Sequence, residues 1–232
     1  MEQPPLRAWP VLLVVLAALG MLGCRAGAGE ADGQREQHRN LARLNDLGNA
    51  FLAGRTVLLG SSTLARWPQG LGPATMVNLG LPGDTVPSLV RRAQAYGSLA
   101  QAGQVVLNIG LNDLRERCSL DAMDLAALTR ALPAGVPVLW FGIQGVAPSV
   151  REQWCGGRFV ELSRGFNLMA ARTCATLAAC RFVEHPVPED VGTPASAHWH
   201  VADGVHLSPA GYEALAARLY GSALVPNPER RP

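Results

Sequence analysis

Leu58-Leu-Gly-Ser-Ser-Thr-Leu-Ala-Arg-Trp67, in one-letter form LLGSSTLARW, ends an apolar run with two adjacent serines where a buried strand gives way to a turn. Such serines have two physical readings. One is a nucleophile presented at a strand end; the other is a pair of helix-capping hydroxyls. The choice depends on what surrounds the stretch.

Apolar runs recur at Thr56–Leu59, Thr75–Leu79, Gln104–Ile109, Val136–Phe141 and Arg181–Val183, and they read as buried strands. Between and after them, Pro87–Leu99, Leu120–Leu132, Phe159–Leu177 and Pro209–Tyr220 carry helical spacing. A further helical pattern, with Leu41, Leu44, Leu47 and Phe51 on one face, begins near Glu36 and stops at Gly54. Strands alternating with helices predict βαβ units and a parallel sheet covered on both faces. In open sheets of this class, ligands bind beyond the carboxyl ends of the strands.

Four segments occupy such positions: Gly60-Ser-Ser62, Asn78-Leu-Gly-Leu-Pro-Gly-Asp84, Gly110-Leu-Asn-Asp113 and, near the C-terminus, Asp203-Gly-Val-His-Leu-Ser-Pro-Ala-Gly-Tyr212. Together they resemble the SGNH (GDSL) hydrolase family of esterases and lipases, named for a Ser, a Gly, an Asn and a His in separate blocks. Here these are Ser62, Gly83, Asn112 and His206, with Asp203 three residues before the histidine. The usual Gly-Asp-Ser is Gly60-Ser61-Ser62 in this chain, so Ser61 stands in for the Asp and remains an alternative nucleophile. The resemblance implies a three-layer α/β/α sandwich with a five-stranded, mainly parallel, flavodoxin-like sheet. It also implies a serine esterase that needs no cofactor.

The chemistry explains the residue types. A serine hydroxyl needs a base within hydrogen-bond reach, and an imidazole needs a carboxylate on its other nitrogen. Ser62, His206 and Asp203 fill those roles. The resemblance assigns the oxyanion donors to the backbone N–H groups of Ser62 and Gly83 and to the Asn112 amide. Ser208-Pro209 reads as an N-cap with proline at the first helical position. Taken singly, each block has a plainer reading as a cap, a turn glycine or an Asx turn. Asp84 and Asp113 read as loop-holding residues. Gln144, in the loop Gly142-Ile-Gln-Gly-Val-Ala-Pro148, and Trp199 are expected to line a substrate cleft, with partly buried packing as the alternative for the tryptophan. The set His198, His200 and His206 is the competing metal reading. It leaves the Ser, Gly and Asn blocks without a role, so no metal is expected. Neither a GxSxG elbow nor a phosphate loop is present.

The 232 residues, 48% of them hydrophobic, suffice for one domain with a substantial core, and a net charge of +2 without a basic cluster excludes a nucleic-acid footprint. Residues 1–23 read as an export signal: Arg7 precedes an apolar segment from Trp9 to Leu22, too short for a bilayer span. Met21-Leu-Gly-Cys24 resembles a bacterial lipobox, which implies lipidation of Cys24 and a membrane anchor in the cell envelope. Cleavage after Ala26-Gly-Ala28, giving a soluble periplasmic or secreted protein, is the alternative. Residues 24–37 read as a flexible tether, 38–225 as the hydrolase domain and 226–232 as a disordered tail. Cys118, Cys155, Cys174 and Cys180 form an even set suited to an oxidising compartment. The expected pairs are Cys118 with Cys155, from loops on one side of the sheet, and Cys174 with Cys180.

The substrate class stays open between short acyl or O-acetyl esters of envelope or environmental glycans and acyl lipids such as lysophospholipids. An O-acyltransferase and a non-catalytic envelope binding protein are the remaining alternatives.

Overall fold

The computed structural model describes residues 52–119, 122–188 and 198–221. The expected leader, Cys24, the tether, the helical pattern from Glu36 to Phe51 and the tail lie outside these residues.

Five strands, β1 (Thr56–Gly60), β2 (Met76–Asn78), β3 (Gln104–Asn108), β4 (Val138–Phe141) and β5 (Cys180–Val183), form one sheet in the order β2-β1-β3-β4-β5. Every pairing is parallel. The strands differ in burial as their positions demand: β1 and β4 are buried at every residue, whereas the edge strands β2 and β5 mix buried and accessible positions.

The helices are α1 (Ser62–Ala65), α2 (Val86–Ala95), α3 (Leu111–Arg117), α4 (Ala122–Ala131), α5 (Pro148–Gln153), α6 (Phe159–Cys174) and α7 (Pro209–Tyr220). The predicted helix over Pro87–Leu99 is split, because α2 stops at Ala95 and a 3₁₀ turn follows from Gly97 to Gln101. Two short helices, α3 and α5, lie where loops were expected. In α3, Asp113 sits in the first turn and Arg115 and Arg117 in the last, charges that complement the peptide dipoles. The seventh helix matches its expectation, with Ser208 capping through Gly211 N–H at 3.2 Å and Pro209 in its first turn. Its Tyr212, Leu215, Ala216 and Leu219 form the inward stripe that packs with Leu58, Val106, Leu139 and Phe141. Each fully buried leucine of that kind contributes about 1.5–3 kcal/mol.

Both expected disulfides are formed. Cys118–Cys155 joins the end of α3 to the turn after α5, and Cys174–Cys180 joins the end of α6 to the start of β5.

The strand order places a topological switch between β1 and β3: the chain leaves β1 for one side of the sheet and returns on the other. Loops diverge there and leave a crevice at the carboxyl edge. Gly60 and Asn108 face each other at this point. A Cβ on Gly60 would stand 1.9 Å from the Asn108 carbonyl oxygen, so glycine alone fits where the chain turns into the two serines.

Candidate active site

Ser61 and Ser62 part company at the end of β1. Ser61 N–H donates to the Asn108 carbonyl at 3.1 Å, and its own carbonyl receives Leu64 and Ala65 N–H at 3.1 and 2.9 Å. Its backbone therefore makes the turn, while its hydroxyl makes no cap. Ser62 opens α1, the position whose N–H has no intrahelical acceptor.

The second segment folds over this point. Leu81 N–H donates to Gly60 C=O at 2.8 Å, and Asp84 N–H closes a turn on Leu81 C=O at 3.2 Å. Pro82 and Gly83 are its central residues, and the φ of +77° at Gly83 is what a type II turn requires there. Gly83 N–H makes no hydrogen bond among the described residues. Asn112, on α3, is 7% exposed and donates through Nδ2 to Asp84 C=O at 2.9 Å. The amide keeps a second hydrogen for another acceptor.

The C-terminal segment completes the arrangement. His206 Nε2 lies 3.1 Å from Ser62 Oγ, and His206 Nδ1 lies 2.6 Å from Asp203 Oδ2. The other carboxylate oxygen of Asp203 accepts Val205 and His206 N–H, each at 2.9 Å. Partial burial pushes the Asp203 carboxyl up, but these hydrogen bonds outweigh it and hold the group at about 2. An imidazole held between a hydroxyl and an ionised carboxylate can take the hydroxyl's proton as the oxygen attacks a carbonyl carbon.

A family model for GDSL-like lipases and acylhydrolases matches residues 26–214. The chain belongs to that family.

It is a GDSL hydrolase acting on ester bonds. Solved structures share its fold at low identity. A Streptococcus pneumonia protein named for platelet activating factor is 20% identical over 87% of this chain and 99% of its own, with a TM-score of 0.65. A GDSL-like lipase from Bacteroides thetaiotaomicron is 20% identical over 79% and 96%, with a TM-score of 0.55. An acetylxylan esterase from Geobacillus stearothermophilus is 18% identical over 75% and 98%, with a TM-score of 0.53. No curated protein matches the sequence.

The hydrolase also holds residues that the sequence reading passed over. Arg92, on α2 and 3% exposed, pairs with Asp84 Oδ2 and donates to Leu79 C=O at 2.8 Å, Tyr96 Oη at 3.0 Å and Gly60 C=O at 3.2 Å. One guanidinium thus ties the end of β1 to the turn that carries Gly83. Asp113, wholly buried, accepts Val86 N–H at 3.0 Å and pairs with Arg117, which anchors α2 to α3. Burial pushes its carboxyl up against the pull of those two partners. Asp84 and Asp113 are loop-holding residues, as expected.

Gln144 departs from its expectation. It is 1% exposed and bonded to Thr63 and Val205, so its amide is committed inside the protein instead of facing a cleft. Trp199 is half-buried and packs against the core cluster, which favours its packing alternative. Among the described residues no three His, Cys, Asp or Glu side chains gather as metal ligands. Instead, His200 Nε2 meets Gly145 C=O at 2.9 Å, and burial holds its ring below the usual imidazole range.

Proposed function

We propose that this protein is an esterase in which Ser62 attacks the ester carbonyl, His206 takes the serine proton and Asp203 holds the imidazolium. The carrying observation is the unbroken Ser62–His206–Asp203 contact, 3.1 and 2.6 Å, between segments 144 residues apart. The tetrahedral oxyanion is received by the N–H groups of Ser62 and Gly83 and by the Asn112 amide. His206 then returns the proton to the leaving alcohol, and water cleaves the acyl-enzyme by the same route.

The substrate in this reading is a short acyl ester, with O-acetyl groups of envelope or environmental glycans foremost. One feature of the site supports it. The carboxylate end of the triad lies toward solvent, with the Asp203 side chain 44% exposed. An open rim suits an ester on a polar polymer better than a long acyl chain that must be buried. The acetylxylan esterase among the structural neighbours agrees with this choice. Export and a lipid anchor on Cys24 belong to the same proposal, and the two disulfides support export.

The test is hydrolysis of p-nitrophenyl esters of increasing chain length by the purified chain, beside Ser62→Ala and Ser61→Ala. The expected result is a maximum at acetate, lost in Ser62→Ala and kept in Ser61→Ala. A maximum at long acyl chains moves the substrate to lipids, and full activity in Ser62→Ala overturns the nucleophile.

A further inference from the structure

Gln144 spans the two halves of the site. Its Nε2 donates to Thr63 Oγ1 at 3.2 Å and to Val205 C=O at 3.3 Å. The first acceptor belongs to the residue after Ser62, the second to the residue before His206.

The Val205 acceptor is coupled to the chemistry by one further bond. The peptide whose carbonyl Gln144 engages presents its other end, His206 N–H, to Asp203 Oδ1 at 2.9 Å. A donor on a peptide carbonyl polarises the N–H on the far side, so Gln144 strengthens the bond that orients the carboxylate. On the opposite side, the carbonyl of Thr63 accepts Tyr212 Oη–H at 2.8 Å. Gln144 and Tyr212 thus fix the hydroxyl and the carbonyl of the residue that follows Ser62.

The loop carrying His206 has its own attachments to the β4 loop. Ala147 N–H donates to Gly204 C=O at 2.7 Å, and His200 Nε2 meets Gly145 C=O at 2.9 Å. Those contacts dock the loop. Gln144 adds a bond from the β4 loop to α1.

We infer that Gln144 is a positioning residue, the crosspiece that sets the Ser62 Oγ to His206 Nε2 separation for proton transfer. The inference rests on the reading of Ser62, His206 and Asp203 as the catalytic triad. Gln144 touches neither substrate nor the reacting atoms, so its removal acts on turnover and leaves substrate binding in place.

The experiment measures kcat and KM of the full chain on p-nitrophenyl acetate for Gln144→Met, Thr63→Val, Thr63→Ser and the Gln144→Met/Thr63→Val double variant, with Tm for each. A displacement on the order of 1 Å at a catalytic pair costs up to about a hundredfold, so Gln144→Met is expected to lower kcat by about tenfold to a hundredfold. KM is expected to stay within about twofold, as for an interaction that binds no substrate. Thr63→Val loses part of the same rate, and Thr63→Ser, which returns the hydroxyl, recovers it. The double variant loses less than the product of the single losses, because both remove one bond.

An unchanged kcat in Gln144→Met overturns the inference, as does a raised KM with kcat intact, which would place Gln144 against the substrate. If Gln144→Met does not fold, the Thr63→Val and Thr63→Ser pair decides: equal kcat in the two overturns the inference. Ser62→Ala separates the two levels. Activity retained there removes the triad reading itself, whereas a dead Ser62→Ala beside an unaffected Gln144→Met removes only the crosspiece.

Discussion

The wall that carries Ser62, Gly83 and Asn112 and the loop that carries Asp203 and His206 meet at the 3.1 Å contact between Ser62 and His206, yet their functional groups are held in different ways. The wall is buried and cross-linked between distant segments: Asn112 to Asp84, Asp113 to Val86 and Arg92 to Gly60 bridge 28, 27 and 32 residues. The loop is half-open to water, and Asp203 bonds to groups only two and three residues away. Oxyanion donors must be fixed before charge develops, which suits the wall. An imidazole that passes a proton between serine, leaving group and water needs an orienting carboxylate and access to solvent, which suits the loop.

Three substitutions probe this contrast, and a fourth, outside both regions, gives it a reference. The largest effect belongs to Asp203→Asn, which leaves His206 without an ionised partner and is expected to lower kcat by about 10⁴-fold. Its Tm is expected to move little, because the lost bonds are local and partly exposed. A large Tm loss would show that the loop helps to hold the fold.

Arg92→Met inverts that pattern. Removing one member of a buried pair leaves Asp84 uncompensated and costs about 3–5 kcal/mol, read as a lower denaturant midpoint. A cost below about 1 kcal/mol would mean that the wall does not depend on this guanidinium. Asn112→Ala removes a donor without opening the pair. A loss of about 10²–10³ in kcat is expected, with a modest change in stability.

The smallest effect lies away from both regions. Burial pulls the ring of His185 down to about 3, with the neighbouring His200 ring acting in the same direction. The unfolded chain binds this proton near pH 6.5 and the folded chain only near 3, so the contribution is complete above about pH 6.5 and declines as pH falls through that window. His185→Phe is expected to flatten the fall in stability between pH 6 and 4 by about one proton, or about 1.4 kcal/mol per pH unit. An unchanged slope in urea titrations would assign the acid sensitivity elsewhere.

The same contrast explains what the sequence made legible. Asp203 and His206 stand three apart, and Ser208-Pro209 announces the next helix, so the loop can be read from local spacing. The alternation of apolar runs gave five strands, and the two disulfide pairs matched their expectation. Arg92 reads as an ordinary arginine on a helix, because nothing local shows that the turn before it supplies Asp84 and that β1 supplies Gly60. Gln144 reads as a cleft residue because its partners lie 81 and 61 positions away. The short helices α3 and α5 were missed because seven and six residues are too few to display a helical period. Strand order is equally silent, since the switch between β1 and β3 is set by the packing of whole βαβ units.

The most direct measurement of the central claim is the site of covalent modification when the purified protein reacts with a fluorophosphonate, located by peptide mass spectrometry. The account predicts one adduct, on Ser62, whose rate of formation collapses in His206→Ala. An adduct on Ser61, or labelling of Ser62 at an unchanged rate without His206, would contradict it.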